Sequence, residues 1–305
     1  MTNSTSHIQV PQSDQLCVDH VAHYVENIDQ TSQYLSSMGF TLTPFSVQSH
    51  KVKPSSTLEP AGAGNKCVML KQGYIELLTP ISTTPIANQL RSGIERYIGI
   101  HLLAIGTSKP LEDHARLVKE NFTPLEPVLL QRKIKTETTE ETAHFKVIRV
   151  PQGTMAEGRI QFCHHLTPNF LWQNRWTQHA NHAIAISDII FCVEDPQEAA
   201  ERYARYTGLP SISRKNSIRI TTNRGSLIFV TASTFSNKLG INPPTLPWIA
   251  GYIIKTGDQS ATLNYLKNSG IPYQSLKNKR LLVSLPQTLG GHIIFEGVNS
   301  EVIDF

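Results

Sequence analysis

The sequence predicts an α+β fold of four βαβββ units joined as two pairs. Three observations carry that prediction. Four segments share one order of events, in which an apolar strand turns through a polar cap into a helix that stops at a small or turn-forming residue. A glycine opens the last strand of every unit, at Gly73, Gly158, Gly225 and Gly291. Each of those strands follows another strand-like run: CVMLKQ, HFKVIRV, SIRITT and RLLVSL.

The first unit opens on CVDHVAHYVEN, is expected to cap its helix at Asp29, and stops it at Gly39. In the second, GIHLLAIGT leads to a helix with Ser108 as the expected cap, Pro110 in the first turn and Asn121 at the stop. The third reads AISDIIFCVED, with Asp195 as cap, Pro196 at the first helical position and Gly208 as stop. The fourth, IAGYIIKTGD, caps at Asp258 and stops at Gly270. The expected organisation is an N-terminal domain over residues 15–168, a linker over 169–183 and a C-terminal domain over 184–305. The linker carries Trp172 and Trp176, and it either straps the halves together with aromatic anchors or rims a pocket between them.

Composition limits the function classes. Of 305 residues 39% are hydrophobic and 17% charged, which is too apolar for a disordered chain. The net charge of +4 comes from 28 basic and 24 acidic residues, and the one basic knot, Arg132 to Lys135, is followed at once by Glu137, Glu140 and Glu141. No sustained basic stripe is present, so a nucleic-acid partner is not expected. Four scattered cysteines without a C-x-x-C pair read as buried, reduced thiols. The N-terminus lacks the apolar stretch of a secretory signal, and no apolar run reaches the ~20 residues of a membrane helix. A soluble cytoplasmic protein acting on a small molecule, with a homodimer as one possible assembly, is the expectation.

Paired βαββ(β) units with Asp-His in the first strand and GYIELL as a last strand resemble the vicinal oxygen chelate superfamily. That superfamily includes glyoxalase I, extradiol dioxygenases and fosfomycin-resistance proteins. Within it the chain is most similar to bacterial glyoxalase-like domain proteins, across DHVAHYVEN, GYIELLTP and FCHHLTPNFLW. The resemblance implies that two units pair into a glyoxalase-like open barrel of eight strands. It also implies a divalent metal ion (Zn, Ni, Mn or Fe), held by side chains of the first and last strands.

Carried over residue by residue, the resemblance makes His20 and Glu76 metal ligands. The donor chemistry agrees, since imidazole and carboxylate are groups such ions accept. Strand alternation puts His20, Ala22 and Tyr24 on one face and His23 on the other. A Glu flanked by Ile75, Leu77 and Leu78 is costly to bury without a cation or firm hydrogen bonds. His101 is the expected third ligand, although aligning Ile105 with Val25 puts Ile100 in the ligand position instead. On the fourth strand, counting from glycine selects Gln161 and counting from the shared Thr-Pro selects His164. These two are the catalytic candidates, with His164 able to act as a base. A glutamine there departs from the second glutamate common in glyoxalase I.

The C-terminal pair lacks the pattern: Asp188 stands for His20, Ile228 for Glu76, and Ile294 closes the set. Glu296 reads as a solvated strand-end carboxylate. The reading that follows is a metal-dependent enzyme of a small oxygenated molecule, an isomerase or lyase that stabilises an enediolate-like charge. An Fe(II) extradiol-type dioxygenase and a metal-free binding or resistance-type protein are the alternatives.

Overall fold

The computed structural model describes residues 9–51 and 57–305. The chain begins β1 (Leu16–Tyr24), α1 (Ile28–Ser37), β2 (Ser46–Lys51), β3 (Glu59–Met69) and β4 (Tyr74–Pro80), followed by α2 (Pro85–Arg96). It continues β5 (Gly99–Thr107), α3 (Pro110–Lys119), β6 (Val128–Lys135), β7 (Glu140–Arg149) and β8 (Arg159–His165). A short helix, α4 (Pro168–Leu171), leads to β9 (Ala183–Val193), α5 (Pro196–Thr207), β10 (Ser211–Ser213), β11 (Ile218–Thr221), β12 (Ser226–Thr231) and α6 (Ala232–Leu239). The chain ends β13 (Trp248–Thr256), α7 (Gln259–Asn268), β14 (Gln274–Ser275), β15 (Leu281–Ser284) and β16 (His292–Gly297).

The first eight strands close into a barrel in the order β1-β4-β3-β2-β6-β7-β8-β5, with β5 pairing back to β1. The pairs β1–β4 and β5–β8 run parallel, and the antiparallel pairs β1–β5 and β2–β6 join one set of four strands to the other. The remaining strands extend the same sheet from β5 through one pair, Ile100 with Ile249, in the order β13-β9-β12-β11-β10, with β16, β15 and β14 branching from β13. The first half is therefore closed, where an open cup was expected.

Helix boundaries follow local chemistry. Asn27, not Asp29, caps α1, because its side chain accepts the Gln30 amide while Asp29 already lies in the first turn. Before α3 it is Thr107, not Ser108, whose hydroxyl accepts the Lys109 amide. Asp195 and Asp258 cap α5 and α7 as the sequence predicts. The helices α2 and α6 fall outside the predicted units, yet α2 carries an ordinary signal, Thr84 capping with Pro85 next.

Two glycines fix how the parallel pairs approach. A Cβ on Gly73, at φ +73°, would lie 2.6 Å from the Asp19 carbonyl oxygen, and one on Gly158 would lie 2.5 Å from that of His101. Both glycines therefore sit against the residue just before the inward position of the adjoining first strand. A large apolar cluster, with Val21, Leu103, Phe191 and Tyr252 among its members, packs the two halves together. No helix of the described residues is long and apolar enough to cross a membrane.

Candidate functional site

The barrel interior gathers the polar groups. β1 pairs with β5 through Val18–Ile105 and then His20–Ala104, so Asp19 is an extra residue in a β-bulge. A bulge re-aims side chains that simple alternation would send to opposite faces. Adjacent residues thereby meet: His20 Nδ1 donates to Asp19 Oδ2 at 2.6 Å. The same carboxylate accepts from His165 Nε2 at 2.9 and 3.1 Å. Both histidines and Asp19 are buried. Burial opposes ionisation of Asp19, but the charges and hydrogen bonds of His165 and His20 hold its carboxyl below the usual carboxylate range.

With its Nδ1 turned to Asp19, His20 directs its Nε2 to the Tyr74 hydroxyl, 3.4 Å away. The His20 ring stacks on Tyr74 at 4.1 Å between centroids. Trp172 packs edge-on against His165 at 4.9 Å, and its indole N–H donates to the Leu70 carbonyl. The first tryptophan of the predicted linker thus closes over the barrel residues. The Nδ1 of His165 is buried with no hydrogen-bond partner among the described residues.

Glu76 lines the same cavity as His20, and its Oε1 accepts from Gln48 at 3.0 Å and from Asn65. Arg132 in turn donates to Asn65 Oδ1 at 2.9 Å. Arg149 and Arg159 also face the cavity, so three arginines oppose one carboxylate in its lining. The space left between these side chains is about 50 Å³.

The pair registers decide which positions correspond. His20 lies opposite Tyr74, and Leu102 lies opposite Arg159, each partner being the first residue after its strand-opening glycine. Leu102 therefore occupies in the second unit the place of His20, and Gln161 that of Glu76. Gln161 lines the cavity and accepts from Arg149 Nε at 3.3 Å.

The structure does not bring His101 or His164 to this group. His101 is instead the extra residue of a second bulge, between Leu102 and Ile100 of β5, where its Nε2 donates to the Tyr97 carbonyl at 2.6 Å and its ring stacks on Tyr97 and Tyr24 beside α2. Burial lowers its pKa to about 4, so it sits there as a neutral ring. His164 points away from Gln161, Cys163 and His165 by strand alternation, and its Nδ1 donates to the Thr107 carbonyl at 2.8 Å. Glu296 is corrected as well. It is buried rather than solvated, with Lys255 Nζ at 2.6 Å and Arg280 beside it.

Sequence reasoning missed Asp19 as a partner and passed over Cys163, His165, Arg149 and Arg159. The Asp-His dipeptide was a visible signal; the bulge that makes both residues face inward was not.

A family model described as a glyoxalase-like domain matches residues 18–207, more than half of the chain. The chain belongs to the glyoxalase-like domain family. The matched stretch runs past the expected linker through α5, so this glyoxalase-like region is not confined to the first half. Among solved structures, a hypothetical protein from Staphylococcus aureus is similar at 13% identity and a TM-score of 0.63, covering 93% of this chain and all of that one. A mutant of 4-hydroxymandelate synthase from Streptomyces coelicolor matches at 11% identity and a TM-score of 0.58, over 92% of both chains. A Mn(II)-bound glyoxalase from Novosphingobium aromaticivorans matches at 10% identity and a TM-score of 0.51, over 91% of this chain and 80% of that one. At these identities the likeness is one of fold. No curated protein matches the chain.

A divalent ion fits the barrel only in part. The four corresponding positions hold His20, Glu76, Leu102 and Gln161: one imidazole, one carboxylate already hydrogen-bonded, one amide and one alkyl group. Beside them, the donor atoms of Asp19, Cys163 and His165 lie within 4.8 Å of one another, the one such group among the described residues that could hold a metal. Carboxylate, thiolate and imidazole are a donor set that Zn²⁺ accepts. Burial, with Asp19 and Glu76 nearby, raises the Cys163 thiol well above its ordinary pKa, so a bound ion would have to displace its proton.

Proposed function

We propose that the N-terminal barrel is the reactive half of a vicinal oxygen chelate enzyme, and that its chemistry is proton transfer on a small molecule with neighbouring oxygens. The observation that carries this reading is the Asp19–His20 hydrogen bond of 2.6 Å, which commits Nδ1 and leaves Nε2, with only the long 3.4 Å contact to the Tyr74 hydroxyl, for a substrate in the cavity. A histidine held in that tautomer is equipped to remove a proton from a carbon next to oxygen. Asp19 then offsets the positive charge that forms on the ring. The electron pair left on the substrate is enediolate-like, and the arginines of the cavity lining supply the opposing charge.

Glu76 and Gln161 orient the substrate oxygens, Glu76 as an acceptor and Gln161 through its amide. Where a divalent ion binds, Asp19, Cys163 and His165 would hold it, and it would supply Lewis-acid polarisation of a substrate oxygen. The C-terminal half supplies packing, since its counterpart positions carry Asp188, bonded to the Ser226 amide at 2.8 Å, and Ile228. A second reading, small-molecule binding without a metal, is favoured by Leu102 at the position corresponding to His20.

The test is solvent deuterium uptake, followed by proton NMR, into small hydroxycarbonyl compounds incubated with the untagged chain. Uptake into at least one such compound, lost in His20→Asn, is the expected result. Uptake that persists in His20→Asn removes the assigned base. Elemental analysis of the same preparation, alongside Cys163→Ser, decides the metal: content that is unchanged by the substitution rules out this donor set.

A further inference from the structure

The wall between the barrel interior and the solvent contains two arginines without an anion. Arg149 ends β7 and Arg159 opens β8, and both line two spaces at once: the interior cavity and a cleft of about 370 Å³ between α2 and the segment joining β7 to β8. Their hydrogen bonds are to neutral amides. Arg149 Nε donates to Gln161 Oε1 at 3.3 Å, and Arg159 Nη2 donates to Gln89 Oε1 at 2.6 Å. Neither forms an ion pair among the described residues.

The charges around them do not compensate. No aspartate or glutamate lines the outer cleft. Its third arginine, Arg96, is committed to the carbonyls of Ala156, at 2.9 Å, and Pro247. On the inner side, Glu76 is the sole carboxylate of the lining, and its Oε1 is taken by Gln48 and Asn65. Burial and the like charge of Arg159 lower Arg149 to about 10. Placing two guanidinium groups together without a carboxylate is costly, and fold stability alone gives no reason for it. A planar guanidinium fork matches the oxygens of a carboxylate or phosphate, and two forks at one wall match them better than one.

We propose that Arg149 and Arg159 anchor the oxyanion end, carboxylate or phosphate, of a small substrate that enters through the outer cleft and extends its reacting carbon toward His20. The cleft is of the size that small ligands occupy, whereas the interior as it stands admits only a small group. The anchored end therefore stays at the wall. This proposal rests on the barrel being the reactive half, and its readout is binding alone, so it succeeds or fails separately from the role given to His20.

The experiment is calorimetric titration of the full untagged chain with oxalate, with inorganic phosphate, and with oxamide as the uncharged counterpart of oxalate. The expected result is saturable binding of at least one anion and none of oxamide. The anion that binds identifies the oxyanion class. Arg149→Gln and Arg159→Gln should each weaken that binding by about tenfold or more. Should either glutamine variant fail to fold by circular dichroism, the corresponding lysine variant keeps the charge, loses the fork, and is expected to bind about threefold to tenfold more weakly. Absence of binding by both anions below about 10 mM overturns the proposal, as does binding of equal strength in folded variants.

Discussion

Replacing Asp19 by asparagine tests the centre of the barrel in one step. The side chain is fully buried and accepts from two histidines, at 2.6 Å from His20 and at 2.9 and 3.1 Å from His165. Asparagine keeps the shape but removes the charge and turns one acceptor oxygen into an NH₂ donor. One imidazole N–H is then left facing a donor at a buried position. A hydrogen bond to a charged group contributes about 1.5–3 kcal/mol, and a buried donor left unpaired costs about 1–3 kcal/mol more. One lost charged bond and one unpaired donor together predict a stability loss of about 2.5–6 kcal/mol. The assay is urea unfolding at neutral pH, with ¹⁵N NMR of the imidazole nitrogens on the folded protein. Wild type should show the His20 Nδ1–H signal of a short hydrogen bond to Asp19, and Asp19→Asn should lose it. A stability change below about 1 kcal/mol, with the His20 Nδ1–H signal unaltered, would refute the reasoning.

Acid should weaken the fold well above the carboxylate range. His23 and His101 are buried and held neutral, with pKa values lowered to about 4, chiefly by burial. The unfolded chain, titrating near 6.5, binds more protons between these values, so stability falls as pH drops from about 6.5 to 4. From pH 7 to 5 the two together cost about 4 kcal/mol, read as a falling urea midpoint; a flat profile over that range contradicts the assignment. Gly290→Ala should destabilise by about 2–4 kcal/mol, because φ is +64° and the new Cβ would collide with the Ile98 carbonyl where the two halves meet. A thermal midpoint within a degree of wild type would show that the backbone there yields freely. Glu296→Gln strands the buried Arg280 and the nearby Lys255 and should cost about 3–5 kcal/mol in the same unfolding assay, an effect absent if the group were solvated.

The sequence made some parts of this protein easy to read. Caps and stops marked α5 and α7 because Asp195, Gly208, Asp258 and Gly270 act through their own neighbours, with no help from distant contacts. The strand-opening glycines were visible for a similar reason: Gly73 and Gly158 are required wherever parallel strands bring a carbonyl against the turn. Alternation also held along most of β1, with His20 on the cavity side and His23 bonded to Leu289 and Tyr252 of the other half. His101 and His164 were harder, because one residue of register exchanges the faces of a strand and a bulge such as that at His101 breaks alternation, and both belong to pairing partners. The pairing of β5 with β1 and β8 resolves His101, and that of β8 with β7 resolves His164.

What the sequence hides is the way the two units of the barrel have come to differ. Their backbones still correspond, so His20 should face a like residue across the barrel, but that place holds Leu102, and Gln161 stands for Glu76. The corresponding positions therefore do not present matching donors. The polar chemistry has collected to one side, where the bulge at Asp19 reaches His165 on β8. That shift needs only one extra residue in β1, because it turns a carboxylate inward between two histidines that separate strands already supply. The charge of the cavity then follows. With one carboxylate spent on two imidazoles and Glu76 tied to amides, the interior presents three arginines with little to oppose them. An anionic substrate is the partner such a wall lacks.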